Sequence, residues 1–221
     1  MNDGQFKKAL ENLNGLILQI GNGVENTIID SFMILEKRDI KKAQQIINND
    51  KSIDFLELKI NEDCLRLLAL YQPVASDLRF ITTAMSIVTD LERIADLASD
   101  IASRVIEMGN EPLIKPLIDI PKMVNIAKDM LHKSLRAYVK RDTRLAKEVS
   151  LMRQKTDDLR DLIYNELEEV MTKNPQRLSR GLPLILITHH LDRIISHTEN
   201  IAEDVVYMVD AQVIKHRNIK N

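Results

Sequence analysis

The second half of this chain repeats the first, and the repeat limits the folds that the sequence can adopt. A shift of 103 positions places the Lys-Arg-Asp tripeptide 37–39 on its copy at 140–142. A shift of 100 positions then matches a set of identical residues: Leu91, Arg93, Ile94, Ile101, Ala102, Val105 and Met108. Apolar matches are common by chance among helical proteins. The polar tripeptide and the later Leu-acid-Arg-Ile box, in the same order in both halves, indicate a duplicated unit.

The repeated unit has the pattern of long, packed α-helices. In the stretch from Leu70 to Met108, Pro73 can occupy the first turn, and neither Gly nor Pro interrupts the chain from there to Gly109. Apolar residues recur at spacings of three and four: Ala84, Ile87, Leu91, Ile94, Ala98, Ile101 and Val105. This period predicts a helix of about ten turns that packs at small angles against others. The aromatic content of 4% disfavours a β-rich fold.

Turn signals divide each half into three helices. In the first half, a helix is predicted over 5–37, a second one capped by Asp39 over 40–70, and the Leu70–Met108 helix third. Gly21 and Gly23 each cost a helix about 0.5–1 kcal/mol, so the first helix is expected to bend or break near them. In the second half, helices are predicted from 121 to about 138, 143–173 and 182–209, the last one kinked or delayed by Pro183.

Residues 109–121 contain three prolines and one glycine and form the only convincing linker. The sequence therefore predicts a first domain over residues 1–109, a linker over 110–120 and a second domain over 121–221. The predicted fold class is all-α, with two tandem, pseudo-symmetric three-helix bundles built from six long antiparallel helices.

Charge and composition exclude several functions. The net charge is −2, with 31 basic and 33 acidic residues, so the sequence does not favour nucleic acid as a partner. The single cysteine, Cys64, has no disulfide partner in the chain and favours a reducing compartment. The first residues lack the pattern of a signal peptide, and the longest apolar run, Leu182–Ile187, is too short to span a membrane. We therefore expect a soluble, intracellular protein.

A row of acids marks the Leu70–Met108 helix. Glu92, Asp96 and Asp100 are each four residues apart and so lie on one face of the helix, where their charges repel. Acids in this spacing are usually a solvated surface, and Arg104 can offset part of the repulsion. The sequence lacks a Walker loop, a nucleophile elbow, Glu-x-x-His pairs and a His-Asp dipeptide, so an enzymatic function is disfavoured.

Three segments carry a family resemblance. The segments Tyr71–Asp96 and His189–Asp204, and the Asp-Lys-Ser-Ile-Asp pattern that opens Asp50–Ile60, are similar to those of the PhoU family. The resemblance covers essentially the whole chain, duplication included. It implies a cytoplasmic, non-enzymatic negative regulator of phosphate uptake and phosphate-starvation signalling. Such a regulator binds the ATPase subunit of the phosphate ABC transporter and a sensor histidine kinase, meets the membrane only through these partners, and often forms a homodimer.

The resemblance also implies metal binding through paired Glu/Asp-x-x-x-Asp motifs. In the first half, Asp50 with Asp54 and Glu92 with Asp96 match the motif, and Asp100 continues the row. Oxygen ligands of this kind suit Mg, Mn, Ca or iron, and the sequence does not fix which. Phosphate could then be sensed through bridging metal ions, although no sequence feature requires this.

The second half keeps the motif only in part. Asp157 and Asp192 match Asp54 and Glu92, and both are candidate ligands. Three other positions have changed: Arg153 replaces Asp50, Ser196 replaces Asp96 and Asn200 replaces Asp100. We therefore expect the second site to be weakened or empty, with His190, His197 or Asp158 as substitute ligands.

Two alternatives to the regulator remain open at this point. One is a metal-binding helical scaffold, or a phosphate store, without a signalling role. The other, least favoured, is a metal-dependent enzyme built on helices. Binding to a transporter subunit or a kinase distinguishes the regulator from both.

Overall fold

Most of the residues that the structure describes lie in α-helices; these described residues are 3–49, 51–109 and 111–214 of this computed structural model. The α-helices within these ranges are α1 (Asp3–Lys37), α2 (Ile40–Asn49), α3 (Lys51–Tyr71), α4 (Ala75–Met108), α5 (Ile120–Lys140), α6 (Thr143–Lys173) and α7 (Leu178–Asp210). A single 3₁₀ turn, Pro175–Arg177, precedes α7. Together α2 and α3 cover the second predicted helix, and Asp50 between them lies outside the described residues.

The predicted fold class is confirmed. In the first half, α1, α2 with α3, and α4 pack on one another, and in the second half α5, α6 and α7 do the same. Ile94 and Ile101 of α4, like their copies Ile194 and Ile201 of α7, are buried. The two bundles therefore bury equivalent faces of equivalent helices, as expected for a duplicated unit.

The repeated Lys-Arg-Asp turns have the same backbone geometry. Arg38 and Arg141 adopt left-handed conformations, with φ of 57° and 50°. In each turn the following Asp donates its N–H to a carbonyl five residues earlier, at 3.2 Å for Asp39 and 3.0 Å for Asp142. Each Asp side chain then caps the next helix: Asp39 Oδ1 accepts from Lys42 N at 2.9 Å, and Asp142 Oδ1 accepts from Arg144 N at 3.0 Å. The predicted Asp39 cap is confirmed, and Asp142 caps its helix in the same way.

The two bundles share one hydrophobic core, which is formed mainly where α4 lies antiparallel to α7. At one end of this pair, Arg79 Nε donates to the carbonyl of Met208 at 3.1 Å. The two bundles also meet where α1 crosses α5. The two helices are so close there that a Cβ atom added to Gly21 would lie 2.4 Å from Leu135 Cδ1. The two halves are therefore joined by packing as well as by the linker.

Several predicted helix ends are wrong in detail. The third helix begins at Ala75 rather than near Pro73, because Gln72 is left-handed, with φ of 45°, and Val74 is extended, with φ of −125° and ψ of 163°. The first helix is not broken at Gly21, since α1 is assigned as one helix to Lys37. The last helix begins at Leu178 and continues through Pro183, so the proline does not delay its start.

The linker is fastened to the second bundle. Arg177 Nη1 donates to the carbonyl of Ile114 and Arg180 Nη1 to that of Pro112, each at 3.3 Å. Lys115 also forms an ion pair with Glu166 of α6. The linker ends one residue earlier than predicted, because Ile120 already belongs to α5 and Pro121 lies in the first turn of that helix. No helix in the described ranges has the length and apolar character needed to cross a membrane.

Candidate metal centre

Three carboxylates meet where α3 packs against α4. Asp54 lies in the first turn of α3, and Glu92 and Asp96 lie one turn apart on α4. Their neighbours Ile53 and Leu91 are buried, which fixes the helix faces that carry these acids. One carboxylate oxygen from each acid lies within 4.8 Å of the other two. We call Asp54, Glu92 and Asp96 the α3–α4 acid cluster.

The α3–α4 acid cluster is electrostatically strained. The pKa of Glu92 is raised above its ordinary value, first by burial and then by the negative charge of Asp96, with Asp54 adding to it. Arg93 offsets part of the repulsion, because its Nη1 lies 3.1 Å from Asp96 Oδ2 and its Nε 3.5 Å from Glu92 Oε2. The Arg93 side chain is 56% exposed, so it can move away from the acids without disturbing the core.

The cluster fits a hard metal cation. Its three carboxylates offer oxygen donors only, which Mg²⁺, Mn²⁺, Ca²⁺ and iron accept. Asp54 is exposed and Asp96 partly so, which leaves the cluster open to solvent and to an entering ion. A cation held by Asp54, Glu92 and Asp96 would neutralise the charge that raises the Glu92 pKa and would tie α3 to α4.

The three acids of the cluster do not include two of the predicted first-half ligands, Asp50 and Asp100. Asp50 lies outside the described residues. Asp100 is exposed one turn further along α4, where its Oδ2 is 3.9 Å from His190 Nδ1 of α7. Asp100 therefore faces the second bundle and does not belong to the α3–α4 acid cluster.

The equivalent acids of the second bundle also come together, but an arginine lies between them. Arg153 Nη1 is 3.1 Å from Asp157 Oδ1 of its own helix and 3.0 Å from Asp192 Oδ1 of α7. The place that corresponds to a metal between Asp157 and Asp192 is thus taken by a guanidinium group. The residues here do not fit a metal ion.

The residues predicted as substitute ligands have other surroundings. His197 Nδ1 lies 2.8 Å from Asp90 Oδ1 across the α4–α7 contact, and His190 faces Asp100. The pKa of His190 is lowered, chiefly by burial. Asp158 is exposed on α6. Both histidines are therefore directed at acids of α4, not at Asp157 or Asp192.

Comparison with known proteins decides the family. The model of the PhoU domain matches this chain twice, over residues 17–105 and 120–205. The chain belongs to the PhoU family. The two matched segments correspond to the two helical bundles, so each bundle is one PhoU domain.

Curated PhoU relatives and solved PhoU structures match nearly the whole chain. A phosphate-specific transport system accessory protein PhoU homolog from Aquifex aeolicus is 37% identical, with 96% of each chain covered. One of the same description from Clostridium acetobutylicum is 35% identical, covering 95% of this chain and 96% of the relative. The crystal structure of PhoU from Pseudomonas aeruginosa is 34% identical with a TM-score of 0.90, covering 94% of this chain and 100% of that one.

Sequence reasoning missed Glu199 and Arg160 in the second PhoU domain. Glu199 Oε2 lies 3.8 Å from Arg153 Nε, and Arg160 Nη1 lies 3.0 Å from Asp157 Oδ1. Neither residue belongs to the Glu/Asp-x-x-x-Asp motif. The available signal was spacing, because Glu199 follows Asp192 by seven residues, two helical turns on the same face.

Proposed function

We propose that this protein is a cytoplasmic negative regulator of phosphate uptake and of phosphate-starvation signalling. It binds the ATPase subunit of a phosphate ABC transporter and the sensor histidine kinase of the same system, and it acts as a homodimer rather than as an enzyme. The observation that carries the proposal is the double PhoU-domain match. Relatives of almost the same length are named accessory proteins of the phosphate-specific transport system.

An exposed apolar face on α3 supports a function in protein binding. Phe55, Leu58 and Leu65 follow one another at spacings of three and seven residues on one side of α3, and each is more than half exposed. The repeat shift of 103 positions places charged residues at the same sites of the second domain: Asp158, Asp161 and Glu168. We call Phe55, Leu58 and Leu65 the α3 apolar face. Exposed apolar patches of this kind typically mark protein contacts, and this one belongs to the first domain.

We further propose that the α3–α4 acid cluster holds a metal cation. Asp54, Glu92 and Asp96 supply ligands, and Asp50 is placed by the motif to supply a fourth. The cation would hold the start of α3 against α4, next to the α3 apolar face. Metal binding and partner binding would therefore involve the same helix.

A retention experiment tests the regulator proposal. The full chain is immobilised and offered the purified transporter ATPase subunit or the sensor kinase, at low and at high phosphate. We expect at least one of the two partners to be retained. A Phe55→Ser, Leu58→Ser variant should lose that partner, because the change removes apolar contact area from an exposed face without opening the core.

The matched control is Leu151→Ser with Leu162→Ser, which alters exposed leucines on α6 of the second domain. This control should retain the partner as the unchanged chain does. If neither partner is retained at either phosphate concentration, the regulator proposal fails and a metal-binding scaffold is favoured. If both double variants bind equally well, the α3 apolar face is not the contact surface.

A further inference from the structure

The repeat exchanges an acid for a base at one position of the metal motif. The shift of 103 positions that aligns the two Lys-Arg-Asp turns places Arg153 on Asp50. It also places Asp157 on Asp54, so the acid one turn later is retained. The second domain therefore keeps one half of the motif on α6 and replaces the other half with a cation.

Arg153 lies at the centre of an ionic cluster between α6 and α7. Its Nη1 lies 3.1 Å from Asp157 Oδ1 and 3.0 Å from Asp192 Oδ1, and its Nε lies 3.8 Å from Glu199 Oε2. Nη1 also donates to Thr156 Oγ1 at 2.6 Å. The guanidinium thus contacts carboxylates from both helices, as a bridging metal ion would.

Burial distinguishes this arginine from the one beside the first acid cluster. The Arg153 side chain is 17% exposed, whereas the Arg93 side chain is 56% exposed. Asp192 Oδ1 is itself buried and lacks a well-aligned hydrogen bond within the described part of the chain, so nearby positive charge is what neutralises it. Arg153 is therefore built into the contact, while Arg93 lies over its acids from the solvent side.

A second arginine reinforces the positive charge. Arg160 Nη1 lies 3.0 Å from Asp157 Oδ1 and 3.6 Å from Asp192 Oδ1. Burial would lower the pKa of Arg160, but its bond to Asp161 and the charges of Asp192 and Asp157 more than offset this and raise it. Arginine does not lose its proton in proteins, so the positive charge in this cluster is permanent. An incoming divalent cation would be repelled by it.

We propose that Arg153 is a built-in cation that takes the place of metal in the second PhoU domain. The guanidinium holds α6 to α7 through Asp157, Asp192 and Glu199, so this acid cluster neither needs nor accepts a metal ion. Metal responses of the protein are then confined to the first domain. This inference goes beyond the proposed metal site of the first domain, and its test does not require that site to bind.

Manganese binding to full-length variants tests the inference. The background silences the first cluster with Asp54→Asn and Glu92→Gln and removes the second charge of the other cluster with Arg160→Gln, which leaves Arg153 as the cation under test. Bound Mn²⁺ per chain is measured by equilibrium dialysis with mass spectrometry. We expect this background to bind no Mn²⁺ at the second cluster. Adding Arg153→Asp restores the motif acid at that position, and the chain should then gain a bound Mn²⁺ and melt at a higher temperature in its presence.

Two control variants make the result specific to Arg153. Arg144→Asp changes the net charge by the same amount at an exposed position of α6 and should gain no Mn²⁺. Arg153→Lys keeps the positive charge and should remain insensitive to Mn²⁺. If Arg153→Asp does not fold without metal, Arg153→Gln replaces it, and its melting temperature should rise with Mn²⁺.

Two results would overturn the inference. The first is Mn²⁺ binding by the silenced background that disappears on Asp157→Asn. The second is a folded Arg153→Asp chain, or the Arg153→Gln chain in its place, that does not respond to Mn²⁺. Failure of the unmodified chain to bind Mn²⁺ is a separate outcome, because it contradicts the first-domain site and leaves the Arg153→Asp comparison intact.

Discussion

Replacing Gly21 with Ala tests how closely the two PhoU domains pack. At this position a Cβ atom would lie 2.4 Å from Leu135 Cδ1 of α5. Carbon atoms that are not bonded prefer separations of about 3.5–4.0 Å, so Leu135 or one of the helices must move. Two residues further along α1, a Cβ atom added to Gly23 would meet nothing within 4 Å. Gly23→Ala is therefore the matched control.

The expected energies follow from this difference. Both substitutions gain helix propensity, worth about 0.5–1 kcal/mol. Gly21→Ala also overpacks a buried contact, at a cost of about 1–3 kcal/mol. Leu135 is only 4% exposed, but the clashing methyl group ends a flexible side chain, which favours the lower part of that range. The variants should differ by about 1–2 kcal/mol, with Gly21→Ala the less stable.

Chemical and thermal unfolding followed by circular dichroism measure this difference. For a chain of this size, about 1–2 kcal/mol corresponds to a gap of roughly 2–8 °C between the two melting temperatures. Gly23→Ala should melt at or above the temperature of the unmodified protein. Equal stability of the two variants would refute the close approach of α1 to α5 at Gly21.

Three further predictions concern the turns, the acid cluster and the cysteine. Asp39→Ala and Asp142→Ala should each lower the free energy of unfolding by about 1 kcal/mol, since each removes a helix cap; a loss at only one turn would contradict their equivalence. In metal-free protein, Glu92→Gln should raise stability at neutral pH by about 0.2–0.5 kcal/mol. The folded-state pKa of Glu92 is raised, so its carboxyl is protonated in the native protein as the pH falls through that pKa, and the stability gain of Glu92→Gln should then fade. A gain that persists in acid would contradict the raised pKa of Glu92. Burial, with the charge of Asp63, raises the pKa of Cys64 to about 12, so a thiol reagent should modify it in denaturant but not in the native protein at neutral pH.

The duplication and the helical period were sufficient to predict the fold class. Local signals were less reliable where packing competes with them. Gly21 weakens an isolated helix, yet it is required where α1 passes Leu135, so this glycine marks a close helix contact and not a break. Pro73 is compatible with a first helical turn, but the extended backbone of Val74 places the start of α4 after it.

The acid cluster, like the fold, could be predicted from the sequence only in part. Spacing alone placed Glu92 and Asp96 on one face of α4, and the motif added Asp54 from another helix. Spacing could not show that Asp100 faces His190, because that depends on how α7 crosses α4. The exchange of Asp50 for Arg153 was visible in the sequence, but its effect depends on the burial of Arg153 between Asp157 and Asp192.

The metal content of the purified protein tests the central claim about the acid cluster most directly. Elemental analysis by mass spectrometry is applied to protein purified without a metal affinity column, and to the Asp54→Asn, Glu92→Gln variant prepared in the same way. We predict bound Mg, Mn, Ca or iron in the unmodified protein, none in the variant, and the same helix content in both by circular dichroism. Equal metal content in the two proteins would contradict the assignment of Asp54, Glu92 and Asp96 as ligands.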